Sequence, residues 1–129
     1  MTLAVCLDDE NGLTFAGRRQ SRDKEQLAHL AKKAGHLFIA PYSEPLGLPC
    51  PVTVAASLPG DAPADAVCFL EQLPADFSLA PFDTLLVYRW HRVYPADVRF
   101  PLPDWPLADA EDLVGFSHET ITCETYRRP

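Results

Sequence analysis

Every position of the run Leu3–Leu7 is apolar, with Leu3, Val5 and Leu7 on one face of an extended chain and Ala4 and Cys6 on the other. A strand that is apolar on both faces belongs at the centre of a sheet covered from both sides. The polar stretch Asp9–Gly12 then turns the chain outward. From Ser21 the spacing changes: Leu27, Leu30, Ala31 and Ala34 form one helical stripe, with Lys24, Glu25, Lys32 and Lys33 largely on other faces. This predicts an amphipathic helix. Ser21 is its expected N-cap, Asp23 and Glu25 complement its positive start, Lys32 and Lys33 its negative end, and Gly35 stops it.

The later apolar runs are short. His36–Tyr42 predicts a second buried strand, and Cys50–Ala56 and Asp65–Leu70 two more, each bounded by proline, glycine or aspartate. Glu71–Asp83 is too broken by proline for more than one helical turn, at Glu71–Leu73. Thr84–His91 is the longest strand-like segment, and Val98–Leu107 reads as an extended loop. Glu111–Arg128 predicts a hairpin: an outer strand to Phe116, a turn at Ser117–Glu119, and a return strand with Ile121, Cys123 and Thr125 on one face. The order of elements implies an α/β fold with a mixed sheet, few helices and a C-terminal antiparallel hairpin, in a single domain over residues 1–129.

Composition sharpens this picture in four places. Thirteen prolines, about twice the ordinary frequency of roughly 5%, lie mostly between residues 41 and 106 and exclude long helices there. The net charge of −7 opposes broad adhesion to nucleic acid or anionic membrane. No stretch approaches the roughly 18 apolar residues of a membrane span, and acidic residues follow the first strand too soon for a secretory leader. A cytoplasmic protein is expected. Cys6, Cys50, Cys68 and Cys123 are widely spaced without a CxxC pair, which predicts buried free thiols.

Several phrases, taken in order, resemble the dihydrofolate reductase fold, shared by the riboflavin-pathway reductases. The first strand, the loop Asp9–Gly17 and the helix beginning near Ser21 are similar to that family's opening strand, mobile substrate loop and pterin-pocket helix. Thr84–Pro101, with Asp97, Phe100 and Pro101 in an Asp-x-x-Phe-Pro pattern, and Leu113–Arg128 resemble its later strand and closing hairpin. The resemblance implies a carboxylate on the pocket helix, but Gln26 stands at about that position, with Asp23 and Glu25 the nearest acids. It also implies glycine-bearing turns against a nicotinamide cofactor. Ile39–Gly47 and Cys68–Asp76 carry neither a Gly-Gly pair nor a Gly-Arg-x-Thr run, and Glu71 stands where phosphate would sit. A divergent member without a cofactor is therefore the expectation. The phrases around Arg18–Asp23 and Tyr94–Asp97 also resemble short bacterial chains labelled ribonuclease Z. That label implies an HxHxDH zinc centre, whereas His29, His36, His91 and His118 are all isolated, so no metal is expected.

Three stretches carry candidate chemistry. Arg18, Arg19, Gln20, Arg22 and Asp23 form either a solvated helix cap or an anion site in which a helix start and forked guanidinium bonds hold a phosphate or carboxylate. Trp90 and Arg92, with Tyr88 on the same face, form either an edge strand covering the core or an aromatic binding surface. Ser117, His118 and Glu119 are neighbours on an extended chain, which points them in alternating directions and predicts a hairpin turn rather than a catalytic trio. The site residues predicted for a ligand are Arg18, Arg19, Gln20, Arg22, Asp23, Trp90 and Arg92. The functional expectation is a small anionic or heterocyclic ligand, or a protein partner, on a degenerate reductase-like scaffold, with a homodimer as one form. A divergent NADPH-dependent reductase and an RNA-binding or RNA-processing protein are the alternatives.

Overall fold

The computed structural model describes all of residues 1–129. Ten strands are formed: β1 (Thr2–Leu7), β2 (Gly12–Phe15), β3 (Arg18–Arg19), β4 (Leu37–Ile39), β5 (Val52–Val54), β6 (Val67–Phe69), β7 (Thr84–Arg89), β8 (Val98–Arg99), β9 (Leu107–Val114) and β10 (Thr120–Arg127). One α-helix, α1 (Lys24–Ala34), and a 3-10 turn over Pro41–Leu46 complete the set.

Seven strands make the main sheet in the order β5-β4-β6-β1-β7-β10-β9. The first five run parallel, and β10 and β9 join antiparallel. The apolar opening run does take the central place: β1 pairs with β6 through Thr2 and Val67 and with β7 through Thr2 and Thr84. Leu3, Val5 and Leu7 enter one core with Leu85, Val87, Phe82 and Phe100, covered by the proline-rich loops. Ala4 enters the other with Leu86, Tyr88 and Trp90, covered by Leu27 and Leu30 of α1.

Helix α1 buries Gln26, Leu27, Leu30 and Ala31, and Gly35 caps its end by donating to the Ala31 carbonyl. Its N-cap is Asp23 rather than Ser21. Both residue types are good caps, and Asp23 prevails because its carboxylate also accepts the backbone N–H groups of Phe116, Ser117 and His118. Those bonds tie the turn of the C-terminal hairpin to the helix start. Gly115 lets the chain come that close, since a Cβ there would stand 2.2 Å from the His118 carbonyl oxygen.

The stretch read as a mobile loop is instead a small sheet, β3-β2-β8, in which Phe15 faces Arg18 and Thr14 faces Val98. Ala16 and Gly17 make its tight turn with φ of 52° and 75°, the left-handed pair a two-residue hairpin requires. The strand Val98–Arg99 likewise interrupts the segment read as an extended loop. The segment Thr84–His91 is an inner strand rather than an edge, since β7 lies between β1 and β10. His91 then takes a left-handed φ of 59°, which turns Arg92 away from the face it would share with Tyr88 and Trp90. The four cysteines are free, and burial pushes the Cys68 thiol up to about 11. No helix is long and apolar enough to cross a membrane.

Candidate functional site

The β2–β3 hairpin presents two adjacent arginines with opposite surroundings. Strand alternation sends Arg18 outward, while Arg19 points over the sheet toward the end of β6. There its Nε donates to Glu71 Oε2 at 2.6 Å and its Nη2 to Glu71 Oε1 at 2.9 Å, a forked pair. The Tyr42 ring lies 4.6 Å from the guanidinium carbon, the Tyr42 hydroxyl accepts from the Arg19 backbone N–H, and Ser43 Oγ donates to Glu71. The Glu71 carboxylate raises the Arg19 pKa, so the guanidinium stays charged.

This pair borders the space between Cys6 of β1 and Gln20 and Ser21, which precede α1. That space is a cavity of about 10 Å³ lined by Cys6, Leu13, Gln20, Ser21 and Trp90 beside the pair itself. Gln20 is held from the other side, donating to Asp8 Oδ2 at 2.9 Å. Burial would raise the Asp8 pKa, but N–H donors from Gly12, Tyr94, Gln20 and Glu10 outweigh it and hold the carboxyl below its ordinary value.

A second set of contacts gathers around His118, which is 4% exposed. His118 Nδ1 lies 3.1 Å from Asp23 Oδ2, and Nε2 lies 3.0 Å from the Tyr94 hydroxyl and 3.3 Å from Ser21 Oγ. The Trp90 ring stacks on the imidazole at 4.5 Å between centroids. Burial opposes ionisation of Asp23, yet the Phe116 N–H, the His118 ring, the Ser117 N–H and the Glu25 N–H together hold its carboxyl well below the usual range. An acceptor-only carboxylate fixes the proton on Nδ1 and leaves the Nε2 lone pair toward the two hydroxyls.

Two open grooves flank this closed centre. One, of about 500 Å³, is lined by Phe15, Ala16, Arg18, Arg19, Gln20, Tyr94 and Pro95. The other, of about 560 Å³, lies beyond the carboxyl ends of β4, β5 and β6, among Ala55, Leu58, Leu70, Leu73 and Phe77. Asp76 is the only charged residue in its lining. No group of three or more His, Cys, Asp or Glu side chains is placed to hold a metal ion.

The structure thus distributes the predicted residues unevenly. Arg18, Arg19 and Gln20 share the first groove, while Arg19, Gln20 and Trp90 share the small cavity. Asp23 and Trp90 meet through His118. Arg22 and Arg92 are exposed and line neither space. Sequence reasoning missed Tyr42, Ser43, Tyr94 and His118 as members of the site. His118 had a local signal, its place in a polar turn, but that signal describes the turn and not the helix start 95 residues earlier against which it packs.

No protein-family model and no curated protein matches this sequence. Among solved structures, the chain is similar to dihydrofolate reductase from Enterococcus faecalis, complexed with NADP(H) and RAB-propyl. The TM-score is 0.66 at 17% identity, over 98% of this chain and 95% of that one. The fold is therefore dihydrofolate reductase-like, as the sequence resemblance implied.

Proposed function

We propose that this chain is a binding protein on a reductase-like scaffold, without hydride-transfer chemistry, that takes a small anionic or heterocyclic ligand in the groove beside Arg18. The observation that carries the reading is the Arg19–Glu71 pair. The cavity that it lines with Cys6, Leu13, Gln20, Ser21 and Trp90 holds about 10 Å³, room for about one water, whereas ligand pockets usually hold 300–1,000 Å³. The groove of about 500 Å³ next to it supplies a free guanidinium on Arg18, the exposed Phe15 ring and Tyr94. That is a lining for a flat ligand with one negative group.

A nicotinamide dinucleotide does not suit the residues present. The groove beyond β4, β5 and β6 offers its pyrophosphate no cation, and Glu71 guards the exit of β6 with its partner already engaged. The second reading, a divergent NADPH-dependent reductase, draws support from the likeness to a reductase solved with NADP(H). Calorimetric and thermal-shift titration with NADPH, dihydrofolate and a panel of phosphate-bearing nucleotides separates the two. The binding reading expects no response to NADPH and a response to another anion that is lost in Arg18→Ala. Stabilisation by NADPH followed by turnover of a folate or flavin precursor would replace it with the reductase.

A further inference from the structure

We propose that Ser21, His118 and Asp23 form a nucleophilic triad able to accept an acyl group from an ester. This goes beyond the binding role, and only its choice of substrate rests on the same groove beside Arg18. The three residues come from two structural places: Ser21 and Asp23 from the start of α1, where Asp23 is the cap, and His118 from the β9–β10 turn. Their order of contacts is the one a general-base relay needs. Asp23 Oδ2 accepts from His118 Nδ1 at 3.1 Å, and the opposite ring nitrogen faces Ser21 Oγ at 3.3 Å. Trp90 stacked on the ring fixes its plane.

A helix cap and a hairpin anchor account for the backbone N–H groups that Asp23 accepts. They do not account for an imidazole inserted between that carboxylate and two hydroxyls. Asp23 and His118 are buried, at 2% and 4% exposure, while Ser21 is half-buried at the border of the cavity. Gln20, its neighbour in the chain, and Tyr94, which shares His118 Nε2 with it, both line the open groove. The groove's Phe15 and Arg18 suit an ester whose alcohol part is aromatic or negatively charged.

In the first step Ser21 Oγ forms a bond to the acyl carbon, its proton passes to His118 Nε2, and the carbon–oxygen bond to the alcohol breaks as that proton is delivered to the leaving oxygen. Water then attacks the acyl-serine by the same route, which releases the acid and restores the hydroxyl. In the resting protein the Tyr94 hydroxyl, at 3.0 Å, competes with Ser21 for the same Nε2 lone pair.

The experiment is labelling of the full chain with an alkyl fluorophosphonate, read by intact mass and peptide mapping. A single adduct on Ser21 is expected, formed with loss of fluoride, absent in Ser21→Ala and at least tenfold slower in His118→Gln. Tyr94→Phe keeps the ring and removes the competing donor, so labelling there should be several-fold faster. The proposal is overturned by no adduct at Ser21, or by a Ser21 rate that a folded His118→Gln variant leaves unchanged. A rate unaltered or lowered in Tyr94→Phe counts against it as well, and that arm remains readable should His118→Gln not fold.

Discussion

The two faces of the main sheet are covered by different means. One is covered by a single helix whose start is fastened by a buried carboxylate: Asp23 accepts from Glu25 and Gln26 of α1 and from Phe116, Ser117 and His118 of the hairpin. The other is covered by loops that place Phe77, Phe82, Phe100 and Trp105 over Leu3, Val5 and Leu85. Arg128 holds those loops by donating to the carbonyls of Leu79 and Phe82 with its guanidinium over the Trp105 ring. A regular helix needs one strong polar fastening at its end, because its own ladder satisfies the rest of its backbone. Proline-rich loops have no ladder, and apolar area must hold them in place.

The sharpest way to break the contrast is Asp23→Ala. It removes a cap worth about 1 kcal/mol and leaves the part-buried N–H groups of Phe116 and Ser117 and the buried one of His118 without their acceptor, at up to about 1–3 kcal/mol each. The expected loss is therefore about 4 kcal/mol or more by urea denaturation. On the other face Phe82→Ala should cost about 3–4 kcal/mol through the cavity it leaves, from a side chain 1% exposed. Only the first of these losses should depend on pH. The Asp23 carboxyl is depressed in the folded state, so its stabilisation is complete above about pH 5, where the unfolded carboxyl is ionised too, and drains away as the pH falls below about 4. Asp8, also depressed, adds with the same sign. Accordingly, the fall in urea midpoint from pH 7 to pH 3 should be visibly smaller in Asp23→Asn than in the parent, and unaltered in Phe82→Ala. The smallest effects distinguish the adjacent arginines. Arg19→Ala leaves the largely buried Glu71 carboxylate without its forked partner and should cost about 1–3 kcal/mol, while exposed Arg18→Ala should stay within about 0.5 kcal/mol. Equal losses at the two positions would remove the distinction between a plug and a free ligand.

The sheet's centre and the helix were legible because each is written in a run long enough to show its pattern: Leu3–Leu7 unbroken and apolar on both faces, Leu27, Leu30 and Ala31 in helical spacing. The small sheet was not, because β3 and β8 have two residues each and no period can be seen in two. The helix cap was missed by two residues for a different reason. Ser21 and Asp23 are locally equivalent, and only the distant hairpin turn decides between them. The site was legible in its arginines and illegible in their fates, since nothing near Arg19 announces that Glu71 will meet it from the end of β6. His118 shows the limit most clearly: adjacency argued against Ser117 and Glu119 as its partners, yet Ser117 Oγ lies 3.3 Å from its Nδ1, and its other partners, Asp23, Ser21 and Tyr94, come from across the fold.

The order of strands in the main sheet bears on how the chain reaches this structure. The central β1 is flanked by β6 and β7, whose residues follow it by more than half the chain. β6 also pairs with β4, on the edge opposite the one that β5 takes. Non-local parallel pairings of this kind are slow to form, since a long loop must close before any contact is gained. The apolar segment Leu3–Leu7 therefore waits for partners far along the chain, and during synthesis it needs shelter from other chains.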